Sequence, residues 1–142
     1  MALVNDLAKS IQILNNQIEG ILRPLDYESD NIILNNENPD QRFLRNEYGS
    51  IVLRLTEIHR EITYLNKPII EEGILFKNIS GRYAISEEFS FTCGSLIEVL
   101  INDDWDKKKK WVLTRLEHTN GDYYLYNYKN IKLRGLLARR RG

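Results

Sequence analysis

Between Val4 and Ile21 the apolar residues Val4, Leu7, Ile11, Leu14, Ile18 and Ile21 stand 3, 4, 3, 4 and 3 positions apart. The pattern returns as Leu44, Tyr48, Ile51, Leu55, Ile58, Ile62 and Leu65, at spacings of 4, 3, 4, 3, 4 and 3. An α-helix turns once per ~3.6 residues, so each set falls on one helical stripe, and the period of two that a strand needs is missing. Pro24 removes a backbone donor and disfavours helical geometry at Arg23, which ends the first helix. Pro39-Asp40 opens the second, with the carboxylate near the helix N-terminal dipole, and Asn66-Lys67-Pro68 closes it. Between them Asn31, Asn35, Asn36 and Asn38 are loop formers, whereas Ile32-Ile33-Leu34 is apolar enough to be expected to pack down. Asn15, Asn16 and Gln17 read as a solvated face, and His59, one residue past the stripe, as a surface histidine.

Strict 3/4 spacing in both segments predicts an antiparallel, coiled-coil-like helical hairpin over residues 1–68. Two helices share one seam and a thin core, so a third surface is required. It is supplied either by the rest of the chain or by a second copy completing a four-helix bundle, a homodimer through the hairpin. Val52 and Leu53 widen the apolar face toward such a contact.

After Pro68 the period changes to two and turn residues become frequent. Strands are expected at residues 73–77, 82–85, 96–101, 111–117, 122–126 and 133–139, with Asn120-Gly121 the strongest hairpin signal. Short strands of this number bury an apolar interior only by curling over. The fold class is therefore α+β: a helical hairpin followed, over residues 72–142, by a small antiparallel SH3-like β-barrel with a basic C-terminal tail.

The order Glu72-Gly73-Ile74-Leu75-Phe76, Gly81-Arg82-Tyr83, Cys93-Gly94-Ser95 with Ile97-Glu98-Val99, Trp111-Val112 with Thr114-Arg115-Leu116-Glu117-His118, Tyr123-Tyr124-Leu125, and Leu133-Arg134-Gly135-Leu136 with Arg139 resembles one family. It is an uncharacterised domain-of-unknown-function family of Gram-positive bacteria, frequent on their plasmids, phages and integrative elements. The resemblance covers residues 72–141. It implies a small β-rich domain of a mobile genetic element and carries over no catalytic residues. The run Asp103 to Lys110 looks like an insertion between two family strands.

Of 142 residues, 20 are basic and 20 acidic, giving a formal net charge of zero, but the balance is uneven along the chain. Residues 1–70 hold 7 basic and 10 acidic side chains, a net of −3; residues 71–142 hold 13 and 10, a net of +3. Apolar residues make up 42% and charged residues 28%, which excludes a disordered or collagen-like chain. One cysteine, Cys93, forms no internal disulfide and suits a reducing compartment. No apolar run approaches the ~20 residues of a membrane span, and the first residues lack the basic and apolar regions of a signal peptide. A cytoplasmic protein without membrane contact is expected.

Catalytic chemistry finds little footing. Cys93 and His118 are the one thiol–imidazole combination, and their spacing gives no reason for them to meet. His59 and His118 fall in different elements, and a single cysteine offers no zinc-like ligand pair. Asp103, Asp104 and Asp106 lack the calcium loop's central Gly and terminal Glu. Isolated glycines form no phosphate loop. No catalytic residue, cofactor or metal site is assigned.

Two features point to contact surfaces. The first is cationic: Lys107, Lys108, Lys109 and Lys110, with Arg134, Arg139, Arg140 and Arg141 in a tail that carries no acid of its own. Such a set suits phosphates. The second is aromatic: Trp105 at a loop tip, Trp111 in the core, and Tyr124 and Tyr126 on the strand face opposite Tyr123, where they suit stacking or an interface. The expectation is a non-catalytic interaction protein of a mobile genetic element, binding and regulating a host protein. The alternative is a nucleic-acid-binding accessory protein that uses the tail and the tyrosines.

Overall fold

The computed structural model describes residues 1–142, and the chain divides into two compact units, Met1–Lys67 and Pro68–Gly142. The first is the hairpin. Helix α1 (Val4–Leu22) runs into a 3₁₀ turn at Arg23–Leu25, where Pro24 stops it. Asp26 and Tyr27 then take left-handed φ values of 51° and 60°, turning the chain back. Helix α2 (Pro39–Asn66) starts where Asn38 Oδ1 accepts the Gln41 N–H at 2.8 Å, satisfying one of the open donors of the first turn. Pro39 sits at the position where a missing N–H costs nothing.

Ile18, Leu22 and Val52 form the buried centre of the hairpin, with Leu25, Ile32 and Leu55 packed around it. Ile32 thus packs down as its sequence suggests, while Ile33 remains exposed. Asn15 departs from the solvated face assigned to it: it is only 6% exposed. Its Oδ1 lies 2.9 Å from His59 Nδ1, and the His59 ring stacks on Tyr27 with centroids 5.9 Å apart. His59 is half-buried rather than solvated. A buried polar group is stable only when paired, so this contact holds the two helices in one register. Nearer the open end, Asn66 Nδ2 donates to Gln12 Oε1 at 2.5 Å.

The second unit contains eight strands: β1 (Ile69–Ile74), β2 (Phe76–Lys77), β3 (Tyr83–Ser86), β4 (Phe89–Ser90), β5 (Leu96–Asn102), β6 (Lys109–Thr119), β7 (Asp122–Leu125) and β8 (Leu137–Arg141). They form a five-stranded sheet of order β1-β8-β5-β6-β7 and a three-stranded sheet β2-β3-β4, antiparallel throughout. The strand ladder does not close into a barrel; it leaves two sheets around one core. The segment expected as a single first strand is two: β1 starts at Ile69, and the chain changes sheets at the buried Leu75. The final strand lies at 137–141, several residues later than expected, because 126–136 is used for turns.

Leu75, Tyr83, Phe91, Ile97, Val99, Leu116, Leu125, Leu133 and Ala138 make the core. On β5 Ile97 and Val99 face inward, so Glu98 and Leu100 face outward by simple alternation. Trp111 is half-buried on this outer face rather than in the core, under the Arg139 guanidinium at 4.0 Å. Asn120 and Gly121 adopt φ of 49° and 84°, as a two-residue hairpin turn between twisted strands requires. Gly73 permits a close approach: a Cβ there would stand 2.7 Å from Ile85 Cγ2.

Candidate functional site

The heptad positions of the hairpin divide into two layers, except that Val4 and Tyr48 share the inward register and are exposed. Ile11, Ile18, Leu55 and Ile62 turn into the contact between the helices, whereas Leu7, Leu14 and Ile21 of α1 and Leu44, Ile51, Ile58 and Leu65 of α2 are exposed. Each exposed residue from Leu14 or Ile58 onward follows an inward one by three positions, a backward rotation of about 60°. Because the helices run in opposite directions, equal rotations bring both exposed sets to the same side of the hairpin. Together with Tyr48, 52% exposed, they make one continuous apolar face. It is made of eight large apolar side chains, each 36–53% exposed, a grouping that marks a contact surface. The stripes read from the sequence as buried seams are therefore only half covered within the hairpin.

The β5–β6 connection holds Trp105 at 95% exposure. Two of the three aspartates around it, Asp103 and Asp106, are turn formers. Asp103 Oδ1 accepts the Trp105 N–H at 2.8 Å, Asp106 Oδ1 accepts the Lys108 N–H at 2.9 Å, and Asp103 Oδ2 pairs with Lys110 Nζ at 2.7 Å. Lys110 and the Trp105 N–H hold the Asp103 carboxyl below its usual range, and Asp103 in turn raises the Lys110 ammonium. Lys107 takes a left-handed φ of 58° at the bend, and Lys109 begins β6. The run of four lysines is thus split: Lys110 is committed to Asp103, while Lys107, Lys108 and Lys109 are exposed around the loop.

Arg139, Arg140 and Arg141 are not a free cationic tail. They lie in β8, between β1 and β5, and each meets an acid contributed from far away in the chain. Glu98, 5% exposed, receives Arg139 at 2.8 Å and Arg141 at 2.6 Å, one on each oxygen. Arg140 points to the other face, where it meets Glu71 at 2.7 Å and lies 3.7 Å over the Phe89 ring. Burial pushes Glu71 up, but hydrogen bonds from Ser86 and Arg140 outweigh it and hold the carboxyl below its ordinary value. These guanidinia hold the sheet together. Arg134 alone of the four arginines is exposed without an ion pair.

Strand alternation stops at Leu125, since Asn127 is left-handed (φ 64°) and the chain turns. Tyr126 consequently leaves the tyrosine face and stacks on Arg115, 3.8 Å from its guanidinium. Arg115 also binds Glu117, and hydrogen bonds from Arg115 and then Cys93 keep that carboxyl low. Tyr124 stays by the cleft. Lys129 Nζ sits 4.9 Å over its ring, and the two line a cleft of about 480 Å³ with Lys77, Tyr83, Asp122, Tyr123, Lys132 and Arg134. Lys77, Lys129 and Lys132 were not singled out in the sequence. They are spread over more than fifty positions and form no charge run.

Cys93 is exposed, and its thiol donates to Glu117 Oε2 at 3.5 Å. His118 instead lies against Tyr123, with ring centroids 4.6 Å apart. No three His, Cys, Asp or Glu side chains are grouped to hold a metal ion, and no helix is long and apolar enough to cross a membrane.

Residues 72–140 match a known family model. Its description is Domain of unknown function (DUF5348). The match begins within β1, runs through β7 and ends within β8, so it spans the ion-paired sheet and the cleft, and the hairpin lies outside it. No curated protein and no solved structure matches the chain.

Proposed function

We propose that this chain is a non-catalytic interaction protein whose hairpin docks a second copy of itself. The observation that carries the reading is the exposed apolar layer of the hairpin: Leu7, Leu14 and Ile21 on α1 beside Leu44, Ile51, Ile58 and Leu65 on α2. In a four-helix bundle both heptad layers of every helix face inward. This hairpin covers one layer and leaves the other bare, which is half of such a bundle. The rim is self-complementary as well. Glu47 and Arg54 stand one heptad apart beside Ile51, so two α2 helices crossing antiparallel there place each Glu47 opposite the partner copy's Arg54.

The β unit then carries the outward contacts. Trp105 is a rigid aromatic on an ordered turn, the residue type that anchors interfaces. The family resemblance supports a setting on a plasmid, phage or integrative element of Gram-positive bacteria, with a host protein in the cytoplasm as the partner bound and regulated. The deciding experiment is the solution mass by multi-angle light scattering across a dilution series. Twice the chain mass, falling to one on dilution, is the expected result; one chain mass at every concentration overturns the reading.

A further inference from the structure

Four cations converge on the cleft beside β7, and they come from two separate parts of the β unit: Lys77 on β2, then Lys129, Lys132 and Arg134 in the turns before β8. One carboxylate, Asp122, is present. It is already engaged by the Tyr123 N–H at 2.8 Å and by Lys77 Nζ at 3.2 Å, which together hold it below its ordinary value. Lys132 and Arg134 are exposed and have no acidic partner, and Lys129 has only the Tyr124 ring. Elsewhere in the unit Arg115, Arg139, Arg140, Arg141 and Lys110 each meet a carboxylate, while Arg82, Lys107, Lys108 and Lys109 are exposed and do not line this cleft. Like charges gathered without counter-charges repel one another, and an anionic ligand relieves that repulsion.

The walls restrict which anion fits. Tyr83 is buried in the core with Tyr123 edge-on against it at 6.4 Å, so Tyr124, half-exposed, is the ring that borders the cleft. Aromatic faces next to unpaired cations suit a ligand that alternates flat rings with phosphates. A free phosphate leaves the rings unused, and a duplex hides its base faces. The volume of about 480 Å³ accommodates a nucleotide or two. A larger cleft of about 630 Å³ beside Ile74, Leu100 and Leu136 lacks this convergence, since Lys109 is its one cation.

We infer that the cleft lined by Tyr123, Tyr124, Lys129, Lys132 and Arg134 is a binding site for single-stranded nucleic acid. Lys129, Lys132 and Arg134 take successive phosphates while a base lies against Tyr124. The site is independent of the hairpin layer and of the arginines in β8.

Fluorescence anisotropy with labelled eight-nucleotide oligo-dT and oligo-rU tests it on the full chain. Three phosphate contacts give a slope of log affinity against log salt of about −2. Lys132→Ala combined with Arg134→Ala, both at exposed positions, should weaken binding by at least about tenfold and flatten that slope by more than one. Lys108→Ala with Lys109→Ala on the Trp105 loop should leave it unchanged. Tyr124→Leu should weaken both oligonucleotides with the slope intact. A preference between oligo-dT and oligo-rU names the natural strand. The inference is overturned by absence of binding at 50 mM salt, a figure on the order of that used for such comparisons. It is equally overturned by a duplex or inorganic polyphosphate competing as well as the single strand, or by the loop variant losing as much as the cleft variant. Because light scattering reads the hairpin and anisotropy reads the cleft, the two proposals fail separately.

Discussion

Asn15 on α1 and His59 on α2, forty-four positions apart in sequence, meet through one polar contact of 2.9 Å inside an otherwise apolar seam. A slip of either helix by one turn breaks it and buries both groups unpaired. Asn15→Ala is therefore expected to cost about 1–3 kcal/mol of hairpin stability. Urea unfolding followed by circular dichroism at 222 nm (about the helical minimum) checks this. A loss below about 0.5 kcal/mol would mean the contact does not hold the register.

The exposed layer gives a different signature. Ile51→Lys and Ile58→Lys add charges to a surface that is already open in the single chain, so helix content should persist while the dimer separates. Each is expected to shift the dissociation constant by on the order of 100-fold or more, measured by sedimentation equilibrium. A variant that unfolds the hairpin instead would place these residues in its internal core.

Glu98 holds two guanidinia with a carboxylate that is almost fully enclosed. Glu98→Ala removes the carboxylate that both guanidinia meet and is expected to destabilise the β unit by about 3–5 kcal/mol. Replacing Glu98, Arg139 and Arg141 together by apolar residues of similar size should recover much of that loss, because the desolvation of the charges disappears with them. Chemical denaturation monitored by tryptophan fluorescence reports both, since Trp111 lies directly under Arg139.

Acid should loosen the β unit in a defined window. Glu71 and Asp122 both have carboxyls held below their ordinary values of 4.5 and 3.8. The unfolded chain binds protons on these groups more readily than the folded one. Their contribution is thus complete above the ordinary values and is lost as pH falls through the depressed folded ones. The denaturation midpoint should stay level from neutrality to about pH 5 and fall below about pH 4. Glu71→Gln should flatten part of that fall, as tracked by midpoints across a pH series.

The local signals in the sequence told the truth about elements. The 3/4 spacing placed both helices, Pro24 and Pro39 marked their ends, and Asn120-Gly121 placed a hairpin, because each of those effects acts within a few residues. What periodicity does not carry is which side of a helix is covered: a half-bundle and a whole one have the same heptads, so Leu14 and Ile18 look alike. Asn15 and His59 were assigned to solvent because a buried polar pair is visible only when both partners are known. The same reason misled the reading of Arg139–Arg141 as unopposed. Their counter-charges, Glu71 and Glu98, lie some forty to seventy positions earlier. The cleft was half legible, through Tyr124 and Arg134, and its other cations were scattered.

Strand β8 has a further consequence. It separates β1 from β5, which have no ladder with one another. Ile69 pairs with Arg141 across nearly the whole unit. The sheet therefore has no nucleus that can be built from its first strands alone. β5, β6 and β7 can zip through short hairpins, but β1 must wait, unpaired, until residues 137–141 have arrived and slotted in. Such distant pairings slow folding, and a nascent chain would display the bare edge of β1 throughout that delay. Completion of this sheet is thus tied to its last strand in sequence, a long-range closure for so small a domain.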